Sequence, residues 1–235
     1  MTTVARVSDS YDPGAFPPFA VTVDVVILTV RSGRLEVLLV ERSDEPFAGD
    51  WALPGGFVGI EQDLLAAARA KLSEKTGLAL DDGHLEQLAT FGAPDRDPRM
   101  RVVSVSHLAF VPEPGQLQTG SASERTEWVP VDALPTLGFD HAEIVDAGVE
   151  RARAKLEYTT LATSFCEPDF TIGELRSVYE AVWGHPLDPA NFHRKVLASE
   201  GFVAPTGEHR AQAKGRPAKL YRAGAAAELQ PPLQR

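Results

Sequence analysis

The sequence predicts an α/β chain built as two modules in series, and three observations carry that prediction. From residue 18 to residue 156, apolar β-branched runs flank a helix-forming stretch and a second helix closes the segment. Beyond residue 156 come two short amphipathic helices joined by a tight turn, then two apolar pairs bracketing a basic stretch. Charge divides at the same place. From Leu156 onward nine acidic side chains balance nine basic ones, so the formal charge of -10 resides entirely in the first two thirds.

A length of 235 residues is comfortable for two domains. The divisions read as a flexible tail over 1–17, a first module over 18–156, a second over 157–225 and a C-terminal tail over 226–235. Hydrophobic content of 43% and charged content of 24% are ordinary for a globular protein, and the negative total argues against an overall basic coat for nucleic acid. Cys166 stands alone, so no internal disulfide forms; it reads as a small buried apolar residue. The N-terminus carries Asp9 and Asp12 and no apolar core, which excludes a signal peptide, and no run approaches the roughly 20 residues of a membrane span. A cytoplasmic protein is expected. The six histidines show no metal-binding spacing, and no metal site is expected.

Taken in order, residues 20–30 and 35–40 are β-branched runs joined by Arg31-Ser32-Gly33-Arg34, a hairpin signal. The loop 43–51 then delivers Trp51 and Leu53 to a Pro-Gly-Gly turn. Phe47 and Trp51 in it are candidates to stack on a base, although Phe47 reads more simply as an anchor to the core. Gly55 and Gly56 are followed by an Ala- and Leu-rich helical run with Gly77 as its stop. Residues 85–94 and 99–112 give two strands separated by Asp95-Arg96-Asp97-Pro98-Arg99. Arg99 and Arg101 border that turn, and guanidinium forks suit a phosphate or diphosphate. A polar loop and a short strand at 127–131 lead to a helix over 140–156, with Ile144, Val145, Val149 and Ala152 on one side.

The stretch 53–78, LPGGFVGIEQDLLAAARAKLSEKTGL, resembles the Nudix box, and the segment order resembles the α/β/α sandwich with mixed sheet of that family. Gly56, Leu72, Glu74, Gly77 and Leu78 match the frame, but Gln62 stands for its first glutamate, Ala70-Lys71 for its Arg-Glu pair and Glu74-Lys75 for its Glu-Glu pair. A register through Glu61 and Arg69 misplaces Gly77. Positions 71, 74 and 75 share one helix face, and two lysines turn that face from triply negative to net positive. Magnesium needs oxygen ligands and is repelled there, so the box reads as catalytically degenerate. Lys71 and Lys75 become candidates to neutralise a diphosphate directly.

In the second module Thr171 reads as a helix cap with Glu174 completing a capping box. Ile172, Leu175, Val178, Tyr179 and Val182 repeat at helical spacing up to Gly184. Asp188 caps a second helix over 189–199 with Phe192, Val196 and Leu197 on one side and Asn191, Arg194 and Lys195 elsewhere, the shape of a helix-turn-helix. Phe202-Val203 and Leu220-Tyr221 bracket Arg210, Lys214, Arg216 and Lys219, which is the pattern of a winged helix, and Gly215-Arg216-Pro217 resembles a minor-groove hook.

Together the two modules resemble the Nudix-related transcriptional regulators of NAD metabolism, the NrtR type, over nearly the whole chain. That resemblance implies a homodimeric repressor of NAD synthesis or salvage genes, bound to double-stranded palindromic DNA and released by ADP-ribose or a related nucleotide. It implies no cofactor and no catalytic residue. The implied effector positions are Arg42, Trp51, Gly55, Gly56, Phe57, Lys71, Glu74, Lys75, Arg99 and Arg101. For DNA they are Thr171, Asn191, His193, Arg194, Lys195, Thr206, His209, Arg210, Lys214, Arg216, Lys219 and Tyr221. The alternative is an active Nudix hydrolase, similar to an ADP-ribose pyrophosphatase, with an accessory DNA-binding domain.

Overall fold

The computed structural model describes residues 12–76, 84–112, 125–211 and 217–233. Along these the chain runs β1 (Ala20–Arg31), β2 (Arg34–Glu41), β3 (Trp51–Ala52), β4 (Gly55–Phe57), α1 (Leu64–Thr76), β5 (His84–Phe91), β6 (Val102–Phe110), β7 (Thr126–Pro130), α2 (His141–Tyr158), α3 (Ile172–Trp183), α4 (Pro189–Ala198), β8 (Val203–Arg210) and β9 (Ala218–Ala223). A 3-10 turn at Leu161–Phe165 joins the modules. The expectations for residues 1–11, Gly77, Lys214 and Arg216, and for the Lys75 side chain, lie outside the described residues.

β1 crosses the centre of a mixed sheet in the order β3, β2, β1, β6, β5; it runs parallel to β6 and antiparallel to β2, and β4 and β7 pair with β1 and β2. Its β-branched run follows from burial on both faces. Val25 and Ile27 pack with Ala68 and Leu72 of α1, whereas Val26 and Leu28 pack with Ile144, Val145 and Val149 of α2. Gly148 of α2 is required by that contact, because a Cβ there would lie 2.8 Å from Val26 Cγ1. Asp63 starts α1: its Oδ1 accepts from the backbone N–H of Leu65 and Ala66 at 2.9 and 3.1 Å. The sequence reading placed Gly55-Gly56 in a turn; the pairing of Gly55–Phe57 with β1 makes it a strand that lays the glycines along the sheet.

In the second module the capping box forms as expected: Thr171 Oγ1 accepts from Glu174 N at 3.1 Å, and Glu174 Oε2 accepts from Thr171 N at 2.7 Å. Gly184 ends α3 at φ 76°, and Asp188 Oδ1 accepts from Asn191 N at 2.7 Å to begin α4. Tyr179 meets Trp183 and Phe192 edge to face, with centroids 4.8 and 5.2 Å apart. Phe165 stacks on Phe110 of β6 at 4.7 Å, so the two modules share one apolar core. The end of the chain adds to it. Residues 226–233 fold back on α2, with Leu229 N donating to Tyr158 O at 2.8 Å and both Leu229 and Leu233 buried. Cys166 is half-buried, and burial, with Glu174 and Glu167 nearby, pushes its thiol up to about 12. No helix among the described residues is long and apolar enough to cross a membrane.

Candidate functional site

β1, β2, β4 and the segment before α2 enclose a two-lobed cleft. Both lobes share Arg42, Asp44, Leu53 and Gly55. The larger, about 240 Å³, adds Thr22, Asp24, Gly56, Phe57, Arg96, Asp97, Arg99, Phe139 and His141. The smaller, about 140 Å³, lies over α1 and adds Glu41, Ser43, Lys71 and Glu74 among others.

At the rim of the larger lobe, cations and rings alternate. Arg99 stands 5.2 Å from the Phe57 ring and 5.5 Å from that of Phe139, and Arg42 stands 4.8 Å from Phe139. Arg42 is fixed by donating to the carbonyls of Pro46 and Asp44 at 2.9 and 3.0 Å. Asp97 accepts from Arg99 Nε and Nη2 at 3.0 and 2.7 Å, and that hydrogen bonding holds its carboxyl below the usual range. Phe139 takes the left-handed φ of 58° to reach this position, with Phe47, itself at φ 67°, edge-on against it at 4.8 Å. Phe47 therefore acts through a second ring.

The floor is ionic. Arg96 donates to both carboxylate oxygens of Asp140 at 2.8 and 2.6 Å, and its Nη2 lies 3.7 Å from Asp24. Asp24 accepts from Ser104 Oγ at 2.5 Å. His141 Nδ1 accepts from Leu53 N at 2.9 Å, fixing the approach to β4, and burial pushes the imidazole below its ordinary value.

Box residues of this chain do not fit a divalent cation. Lys71 Nζ lies 3.1 Å from Glu74 Oε2, and Gln62 Oε1 accepts from Gly59 N at 3.2 Å, so an ammonium and an amide stand where carboxylates would be needed. Among the described residues no three His, Cys, Asp or Glu side chains are grouped to hold a metal. Lys71 also reaches β4: a Cβ on Gly56 would lie 3.9 Å from its Nζ.

Of the effector positions expected from sequence, Arg42, Gly55, Gly56, Phe57, Lys71, Glu74 and Arg99 meet in this cleft. Trp51 and Arg101 do not line either lobe: Trp51 lies under Arg125 at 5.1 Å, and Arg101 Nη1 donates to Ala93 O at 2.9 Å. Thr22, Asp24, Asp44, Phe139 and His141 were not singled out from the sequence, and Arg96 and Asp97 entered it only as members of the charged turn 95–99. An acid at position 24, inside an otherwise apolar strand, was the available signal for that residue.

On the second module, α4 exposes Asn191, His193 and Arg194 and half-buries Lys195, with Arg194 Nη2 donating to Asn191 Oδ1 at 2.6 Å. The hairpin of β8 and β9 exposes His209, Arg210 and Lys219. Arg210 is anchored, donating to Glu174 Oε1 at 2.5 Å and Asp169 O at 2.7 Å. Three residues expected to face DNA have other work. Thr171 caps α3, Thr206 Oγ1 donates to Leu220 O at 3.1 Å, and Tyr221, 6% exposed, packs in the core and pairs with Phe170.

A helix-flanked mixed sheet bearing a nucleotide-sized cleft, fused through one core to a winged helix, defines a ligand-binding module joined to a nucleic-acid-binding fold. The chain belongs to the NUDIX family and carries an NrtR DNA-binding winged helix domain, the two models matching residues 18–148 and 163–223. It is 41% identical over 216 residues to the ADPR responsive transcriptional repressor NtrR of Acinetobacter baylyi, covering 90% of this chain and 85% of that one. Shewanella oneidensis NrtR in complex with a 27mer DNA superposes with a TM-score of 0.80 at 34% identity over 91% of this chain and 99% of that one. The NUDIX domain of the same protein, complexed with ADP ribose, superposes at 0.53 with 38% identity over 61% of this chain and 94% of that domain. A third relative is the ADP-ribose pyrophosphatase of Methanocaldococcus jannaschii, 36% identical over 110 residues, 47% of this chain and 63% of that one.

Proposed function

We propose that this chain is a transcriptional repressor that binds operator DNA through its winged helix and leaves it when ADP-ribose occupies the Nudix cleft. The observation that carries the reading is the coexistence, on one core, of a cleft whose box holds Lys71 against Glu74 and a winged helix exposing Asn191, His193 and Arg194. In this reading two copies assemble as a homodimer in the cytoplasm, read a palindrome with half-sites about 34 Å or a multiple apart, and control genes of NAD synthesis or salvage. Asn191, Arg194 and Lys195 enter the major groove while His209, Lys219 and the basic wing meet the backbone.

The ligand acts by binding one arrangement of the dimer better than another. β1 and β2 are suited to carry that preference. Each has one end in the cleft, at Asp24 and Arg42, and the turn between them, at Ser32 and Gly33, borders Ser177 and Val178 of α3.

Fluorescence anisotropy on DNA from the gene's own upstream region and from NAD-pathway promoters, with ADP-ribose titrated in EDTA, tests the reading. Tight binding reversed by ADP-ribose is expected; no binding to any fragment at low salt overturns it. A residual hydrolase is favoured only by Glu41, Asp44 and Glu74 lining the smaller lobe. Release of AMP in magnesium or manganese, lost in Glu74→Gln, would establish it.

A further inference from the structure

Apolar spacing groups Leu197 with Phe192 and Val196, but the structure sets it apart from them. Phe192, Val196 and Ser199 are buried, whereas Leu197 is 47% exposed. It follows Val196 by one residue, about 100° round the helix, and that step carries it out of the core. Ala190, His193, Arg194 and Leu197 are spaced i, i+3, i+4 and i+7, so they form one ridge along α4, and all four are exposed. Exposed leucines scattered singly need no explanation. This one shares its ridge with Arg194, whose guanidinium is steadied by Asn191 Oδ1 at 2.6 Å, and the ridge is the outward side of the second helix of a helix-turn-helix, the helix that such a fold lays in the major groove.

On that ridge the cation of Arg194 is flanked by apolar side chains, Ala190 a turn before it and Leu197 a turn after it. Neither has anything to offer a phosphate. Among the groups that unmodified base pairs display in the major groove, the C5 methyl of thymine is the apolar one. A leucine laid on that methyl removes both from water without leaving a polar atom unpaired. Leu197 lies three residues beyond Arg194, about 4.5 Å along the helix axis, close to the roughly 3.4 Å between base pairs. Ten residues make α4 about 15 Å long, so its last turn stays near a groove that is roughly 12 Å wide. We infer that Leu197 reads the methyl of a thymine next to the base pair contacted by Arg194, and that each half-site of the operator carries a thymine at that place. The inference rests on α4 being the helix that enters operator DNA, and it adds a base that the helix selects.

Fluorescence anisotropy of the full chain at fixed salt tests it, on the promoter fragment bound most tightly and on copies in which each thymine in turn is replaced by deoxyuridine. Deoxyuridine pairs as thymine does and lacks only the methyl. Wild-type protein is expected to lose about fourfold in affinity for each half-site at one thymine position. Leu197→Ala is expected to bind the thymine and deoxyuridine forms of that position within about twofold of each other, closing a double-mutant cycle between side chain and methyl. An equal loss in wild type and Leu197→Ala would trace the effect to the stiffness of the DNA and overturn the contact. Wild-type binding of every deoxyuridine fragment within about twofold of the parent also overturns it, while leaving the repressor reading intact. That series needs no variant, so misfolding of Leu197→Ala would not rescue the idea. Insensitivity to deoxyuridine combined with weaker self-association of Leu197→Ala in analytical ultracentrifugation would hand the leucine to a second copy of the chain. Failure to bind any fragment at low salt overturns the contact and the repressor reading together.

Discussion

Arg96 closes a two-pronged clamp on Asp140, at 2.8 and 2.6 Å, with its side chain only 3% exposed. This clamp ties the loop after β5 to the start of α2 and holds both beside Asp24 on the cleft floor. Burial opposes the charge on Arg96, but the hydrogen bonds to Asp140, with Asp24 and Asp97 nearby, outweigh it and raise its affinity for the proton. Removing Asp140 leaves the buried guanidinium with no hydrogen-bonded carboxylate and only Asp24, 3.7 Å away, and Asp97 to offset its charge, a loss of up to about 3 to 5 kcal/mol. Asp140→Ala is therefore expected to lower the free energy of unfolding in urea by that order, and the double variant Arg96→Met, Asp140→Leu to recover most of it.

Lys71 gives the second prediction. Its ammonium sits between Glu74 and Gly56 of β4, in the lobe that would take the diphosphate if ADP-ribose fills the cleft. A lysine there neutralises phosphate without a metal. Calorimetry should give ADP-ribose affinities in EDTA and in magnesium that agree within about twofold, and Lys71→Ala should weaken binding about tenfold. Loss of binding in EDTA would instead show that a metal on the lobe's carboxylates carries the diphosphate.

His141 makes stability depend on pH in a stated direction. Burial, more than any other influence, pushes it below the ordinary histidine value of 6.5, and the carboxylates of Asp24 and Asp140 pull only partly the other way. The unfolded chain thus takes up a proton near that pH that the folded chain resists. Stability is full above 6.5 and declines as the pH falls through it, by at most about 1.4 kcal/mol per pH unit for each such group. His107, buried in β6, adds a decline of the same sign. Urea unfolding between about pH 7.5 and about pH 5.5 should show this fall. His141→Gln, whose side-chain carbonyl can still accept from Leu53 N, should flatten part of it.

What the sequence made legible was set by period and punctuation. The hairpin of β1 and β2, the capping box at Thr171 and Glu174, the stop at Gly184 and the Asp188 cap are local features, each decided within a few residues, and each stands in the structure. Half of the cleft was legible for the same reason, because Gly55, Gly56, Phe57, Lys71 and Glu74 follow one another along one stretch. Its other half is assembled from β1, the turn after β5 and the start of α2, and those positions are brought together only by the sheet. Asp95-Arg96-Asp97-Pro98-Arg99 shows the difficulty: Arg96, the buried cation, and Arg99, the cation at the rim, look alike until the fold assigns one to Asp140 and the other to Asp97. Tyr221 was misplaced for the converse reason. At the base of the wing both Leu220 and Tyr221 are buried, and the backbone of Tyr221 pairs with that of Phe170 ahead of α3, a contact between segments about fifty residues apart that the local pattern does not show.

The winged helix separates two kinds of DNA contact that one experiment can tell apart. Arg194 lies on the exposed side of α4, opposite buried Phe192 and Val196, where its guanidinium, steadied by Asn191 Oδ1, is placed for a base edge. Lys219 lies exposed on β9, opposite His209, where a point charge would meet a phosphate. Arg194→Ala should cost about 1 to 3 kcal/mol on the operator and much less on unrelated DNA, shrinking the ratio between them. Lys219→Ala should weaken both equally and reduce the slope of log affinity against log salt by about one. Arg210, held by Glu174 and Asp169, belongs to neither class: Arg210→Ala should loosen the wing and lower thermal stability as well as affinity, whereas Arg194→Ala leaves stability unchanged. Anisotropy titrations on both DNAs over a range of salt, beside melting curves of the three variants, decide the assignment. An Arg194→Ala loss as large on unrelated DNA as on the operator would place α4 on the backbone and take it out of the groove.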